Sequence, residues 1–196
     1  MHSKPGNRIS NHMNRAYIIV IVILMAMAVM PATAQEMTKA ELASIRATYS
    51  AAKERVELNN SAQEQDVPRS DMEIVSHYVI PGCGPTEEVI HYYFTPGEDP
   101  VLGTPVYNVY FITRTYNVAA RKFYQEFVFG EEESDLLFFF QSNDALDGST
   151  DETRYYYSKS GIHKSINGTA DLDEDFAARK ADELKGAFNL LMNKDY

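Results

Sequence analysis

Between residues 106 and 158 the chain carries four apolar-rich runs, VYNVYFITRTY, RKFYQEFVFG, LLFFFQS and TRYYYSK. The connectors NVAA, EEESD and NDALDGSTDE are short and polar, and β-branched and aromatic residues dominate the runs. That composition suits a pleated, half-buried surface, and the spacing predicts an antiparallel meander. Two more strands precede it, MEIVSHYVIP and TEEVIHYYFT, hinged at Gly82-Cys83-Gly84. Residues 161–166 (GIHKSI) predict a last edge strand on which Lys164 discourages further pairing. The sheet is thus expected over 71–166, with six or seven strands. Residues 96–105, with three prolines and two glycines, predict a loop between strands. An even-length turn after Tyr116 would put Val106, Tyr110, Ile112, Phe123, Phe127 and Phe129 on one face. Tyr107, Val109, Phe111, Tyr124 and Val128 would take the other.

At both ends of the chain the apolar period lengthens to three and four. Leu42, Ile45, Tyr49, Ala52 and Val56 form one narrow stripe on a helix over 35–60, and Thr38 with Glu41 is spaced as a capping box. Asn59-Asn60 predicts its end, and 61–70 reads as a polar linker. A second helix is expected over 171–193, acidic in its first turn, with Phe176, Leu184, Ala187, Phe188 and Leu191 along one side. The fold class is therefore α+β: an antiparallel β-meander with an N-terminal and a C-terminal helix, both expected on one face. Strands apolar on both sides would then leave the other face curled or available for recognition.

The first 34 residues stand apart. Lys4, Arg8 and Arg15 lead into an apolar run over 16–30, which Ala32-Thr33-Ala34 closes. This order predicts a signal peptide cleaved after Ala34 and an exported protein, periplasmic or extracellular. The apolar run, about 15 residues, falls short of the roughly 20 that span a bilayer, so no stable membrane span is expected after cleavage. Residues 35–196 have the length of one domain. The net charge of −10 disfavours nucleic acid, whose binding runs on lysine and arginine. Cys83 is the single cysteine, so no intramolecular disulfide forms.

Candidate chemistry is sparse. A three-residue loop at 83–85 would set His77 opposite His91, making the two imidazoles weak candidates for a metal. No HExxH or CxxC spacing supports them, and no cofactor is expected. Residues 143–151 have the outline of a calcium loop, but Ala145 and Arg154 stand where ligands should be, so a solvated hairpin loop is the better reading. The tyrosines are more suggestive. Tyr92, Tyr107, Tyr110, Tyr124 and Tyr156 would spread amphipathic rings over the sheet, suited to a protein or polysaccharide partner. The leading expectation is a non-enzymatic binding module acting through that aromatic face. The alternatives are a hydrolase with its site near His77, His91 and the 82–85 turn, or an inhibitor acting through the 96–105 loop.

The segments NVAARKFYQEFVF (117–129), LLFFF (136–140) and RYYY (154–157) resemble exported proteins of unknown function from Bacteroides-type bacteria. The resemblance implies a secreted bacterial protein and brings no activity or site residues with it.

Overall fold

The computed structural model describes residues 37–64, 69–130, 135–144, 148–168 and 172–193. The expected signal peptide, the 131–134 connector and the centre of the calcium-like loop lie outside the described residues. Residues Glu36–Tyr196 form a compact unit of their own. Helix α1 (Lys39–Glu64) leads into strands β1 (Asp71–Ile80), β2 (Gly84–Glu98), β3 (Pro105–Val118), β4 (Arg121–Phe129), β5 (Leu136–Asp144), β6 (Thr150–Ser158) and β7 (Gly161–Asn167). Helix α2 (Glu174–Met192) comes last. The seven strands lie side by side in chain order, each antiparallel to the next. The α+β class and the meander are as the sequence predicts.

The capping box forms at the start of α1. Thr38 Oγ1 accepts from the Glu41 amide at 3.2 Å, and Glu41 Oε2 accepts from the Thr38 amide at 2.8 Å. Ser160 donates to the same carboxylate at 2.7 Å, tying α1 to the β6–β7 turn. The Ser160 hydroxyl first, then Thr38, hold the Glu41 carboxyl down at about 2. The helix does not stop at Asn59-Asn60 but continues to Glu64. Asn59 does not cap it because its side chain is used elsewhere: it donates to Asp71 at 3.1 Å and accepts from the Ser70 amide at 2.9 Å. Part of the expected linker is therefore helical.

The helices pack on opposite faces of the sheet, which corrects the expectation of one shared face. Ile45, Ala52 and Val56 of α1 are buried with Tyr93, Tyr110, Phe111, Val128, Phe138 and Tyr156. Ala177, Ala181, Leu184 and Phe188 of α2 are buried with the alternate strand residues, among them Tyr92, Phe94, Ile112, Phe127, Phe139 and Tyr155. Strands apolar on both sides require cover on both, and each helix has only one stripe to give.

Two register shifts also revise the predicted faces. Tyr93 pairs with Phe111 and Phe94 with Val109, so Tyr110 is an extra residue in β3. This bulge lets Tyr110 and Phe111, neighbours in sequence, face α1 together, and returns Val109 and Tyr107 to the α2 face. Val128 pairs with Phe138 and Phe129 with Leu136, so Leu137 is the extra residue in β5. The 96–105 loop is shorter than predicted, because β2 runs on to Glu98 and β3 starts at Pro105. Asp99 organises the remaining turn by accepting from the amides of Val101 and Leu102, both at 2.8 Å.

Helix α2 is clipped at both ends. The Tyr155 hydroxyl donates to the Leu172 carbonyl before its start. Beyond its end, Asn193 accepts from the Tyr107 amide at 2.8 Å and donates to the Tyr107 carbonyl at 3.0 Å.

Candidate functional site

Helix α1 is narrower than the face it crosses, and its three sides do different things. Ile45, Ala52 and Val56 point into the sheet. Ser44, Thr48, Ala51 and Arg55 lie roughly a quarter-turn to one side, and Arg46, Tyr49 and Lys53 as far to the other. The first side walls a cleft of about 860 Å³, closed opposite by Tyr110 within β3 and by Phe129, Leu137 and Tyr157 near the ends of β4 to β6. The second side walls a pocket of about 160 Å³ between Arg46, Tyr49, Phe138, Phe140, Arg154 and Tyr156.

A buried carboxylate fixes α1 between these two spaces. Glu126, 2 % exposed on β4, accepts from the Tyr49 hydroxyl (2.8 Å), the Tyr124 hydroxyl (2.8 Å) and Lys53 Nζ (2.9 Å). Burial, then the negative charge of Glu126, push both tyrosine hydroxyls well above their ordinary range, so both stay protonated donors. Further along α1, Asp71 accepts from Asn59, from both arms of Arg69 and from His91 Nε2 at 2.7 Å. Burial raises the Asp71 pKa, but the bonds from Arg69, His91 and Asn59 outweigh it and hold the carboxyl below its usual range.

The five candidate tyrosines do not form one platform. Tyr92 is fully buried on the α2 face against Phe188, and Tyr107, half-buried on that face, meets Phe94 edge-on. Tyr110, Tyr124 and Tyr156 are on the α1 face. Tyr110 lies under the Arg55 guanidinium, 3.8 Å from the ring centroid, in the wall of the larger cleft. Tyr156 is buried and lines the smaller pocket, and Tyr124 is engaged with Glu126. An aromatic sheet face open to a macromolecule is therefore not what these residues make: their rings are largely consumed by the two cores.

The histidines do not oppose each other. The hairpin turns at Pro81-Gly82-Cys83, two residues earlier than expected, so His77 pairs with Glu87 and His91 with Glu73. His77 Nδ1 is 3.6 Å from Glu87, with both side chains largely exposed to water. His91 stacks on Tyr93 and is held by Asp71. Among the described residues, no three histidine, cysteine, aspartate or glutamate side chains come close enough to hold a metal.

The α2 face carries a feature that alternation alone does not reveal. Arg114 Nε donates to Glu88, and Arg114 Nη1 donates to Gln125 Oε1 at 3.0 Å. Gln125 Nε2 donates to Gln141 Oε1 at 2.7 Å, and Gln141 Nε2 to Asn143 Oδ1 at 3.3 Å. Arginine has only donors, so it sets the direction of every amide after it. The ladder ends on Asn143 Nδ2, which is buried without a partner, as are Thr86 Oγ1 and the Tyr92 hydroxyl. All three lie on the α2 face. The available signal is the interruption of greasy central strands by Gln125, Glu126 and Gln141, which no solvated face explains.

No family model, curated protein or solved structure matches this chain. None of the described helices is long and apolar enough to cross a membrane.

Proposed function

We propose that the protein is an exported, non-enzymatic binding module that takes a largely apolar small ligand into the cleft beside α1. One observation carries this reading: the cleft, about 860 Å³, lies within the volume range of small-molecule sites and has a mainly apolar wall edged by polar and charged side chains. Ala51, Ala52, Phe129, Leu136, Leu137 and the rings of Tyr110 and Tyr157 supply the walls, with Thr48 and Arg55 at the helix side. Ser44, Ser158, Asp135 and Lys159 also line it and supply the polar groups that would orient a ligand. Export rests on the leader pattern of residues 1–34 and accords with a protein that gathers a ligand outside the cytoplasm.

The test is titration of the Glu36–Tyr196 segment with 1-anilinonaphthalene-8-sulfonate, whose fluorescence rises in apolar surroundings. Saturable one-to-one binding is expected, weakened at least about tenfold by Ala51→Trp, which fills the cleft from the helix side. Absence of saturable binding, or equal affinity in Ala51→Trp with the fold intact by circular dichroism, would overturn the reading.

A second reading, that the 99–104 turn enters a partner's pocket as an inhibitor would, has one observation in its favour. The turn presents Val101 and Leu102, 87 % and 74 % exposed, on a backbone pinned by Asp99.

A further inference from the structure

The second space beside α1 has a different character. Its floor and sides are the rings of Tyr49, Phe138, Phe140 and Tyr156, and two guanidinium groups stand over them. Arg46, from α1, lies 5.5 Å from the Tyr156 ring centroid, and Arg154, from β6, lies 4.9 Å from that of Phe140. Arg154 meets Glu152 at 2.9 Å, whereas Arg46 makes no ion pair among the described residues. On the inner side, Tyr49 links the pocket to Glu126, whose charge Lys53 offsets at 2.9 Å. Three cations (Arg46, Arg154, Lys53) therefore meet two carboxylates (Glu126, Glu152), leaving one positive charge in excess. This local positive excess above an aromatic floor stands against the net charge of −10 of the chain as a whole.

We propose that this pocket binds a compact organic monocarboxylate, an acid about the size of one aromatic ring. Size, polarity and charge each narrow the choice. A volume near 160 Å³ is close to the 150 Å³ of an apolar cavity that accepts benzene, so one ring or a short branched chain fills it. The ring walls favour an apolar body that stacks edge-on or offset against them. The guanidinium forks favour a planar two-oxygen anion, which they can hold with paired N–H···O bonds. The single excess charge matches a monoanion better than a dianion. The site is separate from the 860 Å³ cleft, because Arg46 and Tyr49 leave α1 on the side away from Thr48 and Ala51.

The experiment titrates the Glu36–Tyr196 segment with benzoate, benzamide and phthalate by isothermal calorimetry, repeated for Arg46→Gln and Arg154→Gln. Benzoate is expected to bind saturably at one site. Benzamide, with the same shape and no charge, is expected to bind at least about tenfold more weakly, as is benzoate to either variant. Phthalate, a dianion, is expected to bind no better than benzoate. Circular dichroism serves as the fold control and is expected to be unchanged by Arg46→Gln. Loss of benzoate binding with the fold intact supports the proposal whether or not the larger cleft binds a ligand. Equal binding of benzoate and benzamide, undiminished benzoate binding in both variants, or no benzoate binding at all would each overturn it.

Discussion

Replacing Glu126 by glutamine tests whether a buried carboxylate sets the position of α1. The wild-type carboxylate accepts three hydrogen bonds, two from tyrosine hydroxyls and one from Lys53. Glutamine keeps the shape but offers one acceptor oxygen, and its amide nitrogen would face a hydroxyl that already donates. Hydrogen bonds to a charged partner contribute about 1.5–3 kcal/mol each when buried, and at least one of the tyrosine bonds is lost. The Lys53 arm is discounted, because its side chain is 38 % exposed and such pairs contribute about 1 kcal/mol or less. The expected cost of Glu126→Gln is therefore about 2–4 kcal/mol, and that of Lys53→Ala under about 1 kcal/mol. Urea unfolding of the Glu36–Tyr196 segment measures both. A cycle with Tyr49→Phe isolates the helix-to-sheet bond, with an expected coupling of about 1–2 kcal/mol. Hydrogen exchange along α1 should quicken in Glu126→Gln more than in β4 or β5. A loss below about 0.5 kcal/mol, or strict additivity with Tyr49→Phe, would refute the reasoning.

The amide ladder gives a contrast within one network. Gln125→Leu strands an Arg114 donor and the Gln141 acceptor and should cost about 2–4 kcal/mol, whereas Asn143→Ala removes an unpartnered donor and strands only the Gln141 donor at the end of the ladder, and should cost less, about 1–2 kcal/mol by urea unfolding. Asp71 makes stability depend on acid. Its folded pKa lies below the reference 3.8, so its contribution is fully present above that value and fades as pH falls through and below it. The stability gap between wild type and Asp71→Asn should accordingly be flat above about pH 5 and shrink toward pH 2, and a gap that widens on acidification would contradict the assignment. Ala119 is the non-glycine residue with positive φ (54°) among those described, at the first position of the two-residue β3–β4 turn. Ala119→Gly should relieve about 1 kcal/mol of that strain and raise Tm by about 2–4 °C in a scanning melt.

The sheet is legible in the sequence because its signals are local. Runs such as RKFYQEFVF, bounded by polar connectors, specify strands whatever covers them, and neighbours in sequence pair most simply. The capping box at Thr38 and Glu41 and the acidic start of α2 are legible for the same reason. Information held between elements is not. A bulge at Tyr110 depends on what must fit under α1, and nothing in VYNVYFITRTY announces it. The hairpin register depends on whether the turn closes at Gly82 or Gly84, and both glycines have positive φ. That two-residue difference separates His77 from His91. Placing both helices on one face follows only if each stripe is weighed against a single face, and it fails once the whole two-sided sheet is considered. Tyrosine enrichment points to the α1 face in part, since Tyr110 and Tyr156 do line the spaces beside that helix, but as walls and floor rather than as an open platform. The Glu126 cluster escapes a sequence reading because its partners Tyr49 and Lys53 are more than 70 residues away in the chain.

The order of the strands has a temporal consequence. Each strand can zip onto the one synthesised just before it, so the sheet can assemble from one end as the chain emerges, hairpin by hairpin. Helix α1 is made before all of them, and its ties to Glu126 on β4 and to Ser160 after β6 exist only once those residues do. Both spaces beside it take part of their walls from β6, so neither is complete until that strand has paired. A chain halted before β6 would own a ribbon of paired strands and no binding site.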